Sequence, residues 1–394
     1  MTYTPYIFEQ ADVLASPFEE FRNAFEMTVI DLPRNMLINF PHLLADVNVT
    51  WDSLFLLTRS DAVAIVGRFD ADAVPDGWRM RPYDADLTGV LHEELGKLQP
   101  RRVLVNFSET DPLCDGLTVG LYRRLQGWFA PHDLHSAEAL LGQLRSVKTP
   151  AEQGAIREAV DVAEAHLEAM RRAIQPGWTA ADAVKFMHER CAEVGGEPSW
   201  GWNSCPNVHI GPDARPSHAL SLGTAPLGPG MLLHIDYGVR LPHGYCSDIQ
   251  RTYYLPREGE EIPAEVQRAF DACWAAIDEG AKALRPGAAG WQVDAAARAK
   301  LVSLGYPEYQ HALGHGLGRA THDGGTLLGP RWPRYGQTVE GQVREGEVYT
   351  LELGTFVDGY GFVGLEEDVM VRGDGLEWLS KRQNEVKLLP ITAS

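Results

Sequence analysis

Four carboxylates stand inside runs that otherwise read as buried β-strand. Leu232 to Tyr237 carries Asp236, the segment through Thr252 carries Asp248, Val348 to Leu353 carries Glu352, and Val363 to Val369 carries Glu366. Asp and Glu are poor strand formers and are seldom buried without a partner. No Lys or Arg in these runs supplies enough positive charge, so a fold that accepts this pattern needs another source. Two divalent cations match four carboxylates, four positive charges against four negative. Turn residues Leu241-Pro242-His243-Gly244 separate the first two acids, and Asp358-Gly359 separates the second two. Each pair therefore reads as a hairpin, which would set Asp236 and Asp248 together across neighbouring strands.

A fifth ligand type lies in the glycine-rich stretch His311-Ala312-Leu313-Gly314-His315-Gly316-Leu317-Gly318, where glycines allow close backbone approach. His315 can give a ring nitrogen, and His322 follows in Thr321-His322-Asp323-Gly324. One imidazole with four carboxylates is a hard, oxygen-rich set. It favours Mn²⁺, with Co²⁺, Fe²⁺ or Zn²⁺ as alternatives, over a thiolate-seeking metal.

The chain has 394 residues, 35 Lys and Arg, and 54 Asp and Glu, a formal net charge of −19. That charge argues against a nucleic-acid partner and offers no basic patch to an anionic membrane. No run approaches the about 18 apolar residues of a membrane span. The first residues carry Glu9 and no base before Arg22, unlike a signal peptide. The five cysteines are widely spaced and include no CxxC pair. They fit idle thiols in a reducing cytoplasm better than a disulfide framework or thiolate zinc site.

The length favours two domains. Residues 1–146 read as a mixed α/β unit, with strands at Ser53 to Thr58, Ala62 to Val66 and Arg102 to Phe107, and a helix at Glu138 to Leu144. Residues 147–394 form the second domain. Thr149 and Glu152 make a capping box around Pro150 and open a helix to about Ile174; Thr179 and Asp182 open another to about Val194. A β-rich stretch follows. The order then recurs, with helices from Pro263 to about Leu284 and from Trp291 to Leu304 before a second β-rich stretch. Helix, helix, sheet, twice over, predicts a duplicated α+β domain: one curved sheet, four helices behind it, and a site on the open face.

These residues resemble the pita-bread metallopeptidases, the family of methionine aminopeptidase, aminopeptidase P, prolidase and creatinase. The resemblance rests on GHGLG followed by THD, the LELG strand, the LEED segment and the paired aspartates, and covers roughly residues 147–394. It implies a creatinase-like N-terminal domain at 1–146, a pita-bread catalytic domain at 147–394, and two divalent metal ions sharing a hydroxide nucleophile. Asp236 would chelate one metal, His315 and Glu352 the other, and Asp248 and Glu366 would bridge both. Glu352 would also shuttle the proton, His218 would bind substrate, His322 would contact the scissile carbonyl, and His311 would stand beside the metal ligand. Asp368 shares a strand face with Glu366, but the preceding Val363-x-Leu365 selects Glu366. Arg251 and Thr252 read either as supports for the metal ligands or as packing.

The two-domain length points to a cytoplasmic, metal-dependent Xaa-Pro dipeptidase acting on small proline-containing peptides, with a homodimer implied by the family. Xaa-Pro aminopeptidase activity on longer peptides is the alternative. A metal-free creatinase-like hydrolase or a peptide-binding module stands behind both. Arg215 and Arg319 are candidate cations for a free proline carboxylate. The chain departs from the proline-specific pattern at Phe356 and Gly364, where the family usually carries Tyr and Arg.

Overall fold

The structure is a computed structural model describing residues 28–32 (as backbone), 49–58, 61–74, 77–111, 114–214 and 224–390. The chain divides into two compact units, residues 1–145 and 146–394.

In the first unit the described strands are β1 (Thr28–Leu32), β2 (Ser53–Leu57), β3 (Ala62–Gly67), β4 (Arg79–Tyr83), β5 (Val103–Val105) and β6 (Leu134–Ser136). They form one mixed sheet in the order β4-β3-β2-β1-β5-β6. Helices α1 (Leu87–Leu98), α2 (Val119–Trp128) and α3 (Glu138–Ser146) accompany it. The strand period of two sends Leu54, Leu56, Val63 and Ile65 into a core with Leu91 and Leu125, and Phe55, Ala64 and Val66 into a second core with Leu141. Both sheet faces are thus covered, which explains the near-continuous apolar runs. Asp86 caps α1 and Thr118 caps α2; these helices lie between the elements legible from the sequence.

The second unit begins with α4 (Pro150–Ala173) and α5 (Ala180–Glu193). Both expected capping boxes form, at Thr149 with Glu152 and at Thr179 with Asp182. Strands β7 (Glu197–Pro198), β8 (Asn207–Ile210), β9 (Met231–Tyr237), β10 (Val239–Arg240) and β11 (Ile249–Leu255) follow. Then come α6 (Ala264–Ala283), α7 (Gly290–Ser303), β12 (Val348–Val357), β13 (Gly361–Arg372), β14 (Gly375–Trp378) and β15 (Lys387–Leu388). Apolar side chains of α4 at Ile156, Val160, Ala163, Leu167 and Met170 pack with α5 and the β9 and β11 strands. Those of α6 at Val266, Phe270, Cys273 and Ile277 pack with α7, β12 and β13. The repeated helix, helix, sheet order is therefore two cores of one plan.

The main strands form a four-stranded sheet, β15-β11-β9-β8, and a three-stranded sheet, β12-β13-β14, with β10 and β7 as a separate pair, rather than a single hydrogen-bonded sheet. Side chains stitch them. Thr252 Oγ1 donates to the Gly364 carbonyl at 2.7 Å and accepts from its amide at 3.1 Å. Arg251 donates to the Glu366 carbonyl at 3.0 Å and to the Glu367 carboxylate at 3.1 Å. Both residues thus carry the join between the sheets.

The GHGLG segment lies against β12. A Cβ at Gly314 would collide with the Thr350 carbonyl, and one at Gly316 with the Gly324 carbonyl. Beside it Lys148 and Asp323 form a buried ion pair at 3.1 Å, and Asp323 also accepts from the Arg319 amide at 3.0 Å. Breaking a buried pair strands a charge, so Lys148→Met should lower stability by about 3–5 kcal/mol. Denaturant unfolding of the variant, with Lys148→Met/Asp323→Asn recovering part of the loss, checks this.

Candidate metal centre

Pairing in the second sheet places Glu352 directly opposite Glu366, across the hairpin that turns at Asp358, Gly359 and Tyr360. The first sheet brings the two aspartates near each other without pairing them directly. Asp236 faces Gln250, not Asp248. Asp248 lies one residue before β11 begins, two residues from Gln250 and therefore diagonal to Asp236 on the same face. The turn is long enough to slide the second aspartate past the first, and the two carboxylates still interact.

Ligand-type atoms of Asp248, His315 and Glu366 lie within 4.8 Å of one another, and His315 Nε2 is 3.6 Å from Asp248 Oδ2. Burial is the main force on every acid here. It lifts Asp236 to about 7 and Glu352 to about 8, and drives Asp248 and Glu366 well above the carboxylate range. Repulsion adds to this at Asp248, Glu352 and Glu366. Burial pushes His315 down to about 3, so its ring is neutral and offsets none of the charge. Among the described residues no Lys or Arg forms an ion pair with the four acids. Among the described residues Asp236 Oδ1, Asp248 Oδ1 and Glu366 Oε1 are buried and accept no hydrogen bond. Buried, unpaired carboxylate oxygens aimed at one another beside a neutral imidazole suit divalent cations held by oxygen and nitrogen.

Asp368, next but one after Glu366, does a different job. Its Oδ2 accepts from the Asp248 amide at 3.1 Å, holding the backbone that carries that aspartate. Glu367 points the other way, to Arg251 and Ser380.

The exposed His322 ring lies beside buried His315, with centroids 4.1 Å apart. The His311 ring packs on Tyr309, centroids 5.5 Å apart. His218 and Arg215 lie outside the described residues. The Arg319 guanidinium lies over the Tyr245 ring at 5.4 Å.

Two contacts to Glu352 escaped the sequence reading. Gln250 Nε2 donates to Glu352 Oε2 at 2.9 Å, and the Tyr309 hydroxyl donates to the same oxygen at 3.4 Å. Gln250 carried a usable signal, a polar residue at strand period two from Asp248. Tyr309 sits in irregular chain and carried none. At the departures, the His234 ring covers Gly364, where even a Cβ would strike it. Phe356 faces Phe362 across the strands, rings 5.2 Å apart.

The raised acid pKa values set a sign for stability against pH without metal. Between pH about 6.5 and 8 the folded acids hold protons that the unfolded chain has lost, so stability falls as pH rises. Below about 6.5 buried His315 opposes this, because only the unfolded chain charges it. Thermal unfolding of chelator-treated protein should therefore occur at lower temperature at pH 8.5 than at 6.5. Saturating Mn²⁺ should shrink the difference.

A model of metallopeptidase family M24 matches residues 154–373. The chain is 31% identical over 255 residues to "Putative dipeptidase YkvY" of Bacillus subtilis strain 168, covering 64% of this chain and 66% of that one. The solved Xaa-Pro dipeptidase from Bacillus anthracis superposes with a TM-score of 0.75 at 21% identity, over 97% of this chain and 99% of that one. An X-Pro aminopeptidase from Thermotoga maritima MSB8 gives 0.73 at 21% identity, over 93% and 98%. The structural likenesses establish the pita-bread fold and its preceding unit.

Proposed function

The chain belongs to metallopeptidase family M24, and on that premise we propose that it is an Xaa-Pro dipeptidase, hydrolysing the bond before a C-terminal proline. The observation that carries this reading is the cluster of Asp248, Glu366 and His315, with half-buried Asp236 and Glu352 beside it and oxygens of Asp236, Asp248 and Glu366 that accept no hydrogen bond among the described residues. Those five residues would hold two divalent ions, and the oxygen-rich set favours Mn²⁺. When bound, the ions supply an acidified water and a positive seat for the oxyanion.

The chain's own groups do the rest. Glu352, only half-buried, takes a proton from the attacking water and returns it to the proline nitrogen as the C–N bond breaks. His322, exposed beside His315, donates a hydrogen bond to the carbonyl oxygen as it gains charge. Phe356 and Phe362 form an aromatic ledge four pairs along the strands from Glu352 and Glu366, an apolar wall suited to a pyrrolidine ring. His218 and His311 complete the substrate side, as the resemblance implies. The 31% identity to a putative dipeptidase supports the dipeptide preference.

We place the enzyme in the cytoplasm as a homodimer. Its five cysteines are buried and free, and no helix among the described residues is long and apolar enough to cross a membrane.

The paired substrates Ala-Pro and Ala-Pro-Ala test the assignment. Ala-Pro should be cleaved far faster; the reverse would make the enzyme an Xaa-Pro aminopeptidase. Asp248→Asn should lose both bound metal and turnover. His322→Ala should keep its metal, measured by elemental analysis, and lose on the order of 10²–10³ in kcat.

A further inference from the structure

One hydrogen-bond chain leads from Glu352 away from the acids and into the first sheet. Gln250 Nε2 reaches Glu352 Oε2 at 2.9 Å, and His234 Nε2 meets Gln250 Oε1 at 3.0 Å. His209 Nδ1 meets His234 Nδ1 at 3.0 Å. The residues come from three neighbouring strands, with His209 directly opposite His234 and Gln250 opposite Asp236. All three are at least nine-tenths buried.

We propose that Gln250 is a positioning residue for Glu352, held in place by His234 and His209 through a chain whose polarity the carboxylate sets. It rests on the reading of Glu352 given above. Glu352 Oε2 accepts from both Gln250 Nε2 and the Tyr309 hydroxyl, so Gln250 turns its amide N–H toward Glu352 and its carbonyl toward His234. His234 must then carry its proton on Nε2. A second proton on Nδ1 would make a buried cation with no carboxylate against it, so Nδ1 is bare and accepts from His209 Nδ1–H. His209 Nε2 is therefore the acceptor end, and it has no hydrogen-bond partner in the structure.

Packing locks the same rings. His209 and His234 stack at 5.3 Å with planes 20° apart, and Phe362 meets His234 edge-on at 5.0 Å. The absent side chain at Gly364 makes the room that His234 fills. With Gln250 and Tyr309 both on Oε2, the other oxygen of Glu352 is left for a metal ion. Partners of this kind set the orientation of a ligand and its affinity.

The test uses full-length protein freed of metal by chelation, with Mn²⁺ alone as titrant in calorimetry, and selective ¹⁵N-histidine NMR. The unaltered protein should show His209 in the Nδ1–H form and His234 in the Nε2–H form. Gln250→Leu should weaken one Mn²⁺ site about 10-fold. His209→Leu should weaken the same site, and His209→Asn, which keeps a donor, should restore it. The two His209 variants keep the test open if Gln250→Leu fails to fold. Unchanged Mn²⁺ affinity in folded His209→Leu and Gln250→Leu, with normal Xaa-Pro turnover in the parent, overturns the positioning role alone. An Nε2–H form of His209 overturns the chain's polarity. A parent that binds no Mn²⁺ and cleaves no Xaa-Pro peptide, yet shows both stated tautomers, overturns the functional reading and upholds the chain.

Discussion

Desolvation of carboxylates that also repel one another is the constraint on which the catalytic unit is organised. A buried ion without a partner is strongly disfavoured, and the usual remedy is a salt bridge or protonation. Here the unit's buried basic groups are engaged elsewhere: Arg251 on Glu367, Lys148 on Asp323, Arg298 on Asp294. Among the described residues His315 is the one basic group paired with an acid of the quartet, and its own burial holds it neutral. The charge balance is left to divalent ions, as a metallopeptidase requires.

Keeping the groups close falls to backbone geometry. The β12–β13 register places Glu352 and Glu366 face to face, and the β9–β11 register sets Asp236 and Asp248 on one diagonal. Thr252 and Arg251 bind the two sheets across Gly364 and Glu366, so the two pairs of acids converge. The histidine arrives on a segment that can lie against β12 only because Gly314 has no side chain, and Gly316 likewise leaves room for the Gly324 carbonyl. The helices keep out of the chemistry. Their apolar stripes cover the backs of the sheets and leave the acid-bearing faces for the site.

The two departures from the proline-specific pattern belong to one rearrangement. Gly364 leaves a space, His234 fills it, and His234 is tied to Gln250 and thereby to Glu352. Phe356 loses the hydroxyl of the usual Tyr and pairs with Phe362 instead. A hydroxyl that reaches Glu352 comes from Tyr309, in the chain leading to GHGLG.

Local chemistry was legible where it is written over a few residues. The capping boxes at Thr149 and Thr179, the turn at Asp358-Gly359 and the glycines of GHGLG act on neighbouring backbone, and each forms as its composition requires. The acids in apolar runs determined from the sequence that a compensating charge must exist. Only the tertiary structure decided the register that sets Gln250 opposite Asp236, the two-sheet division, and the separate duties of Glu366, Glu367 and Asp368. It alone brought Tyr309 and the His209–His234 pair to Glu352. Those arrangements depend on which strands meet and how far a turn lets one slide past another. Side chains remote along the chain settle that together, and no short stretch of sequence encodes it.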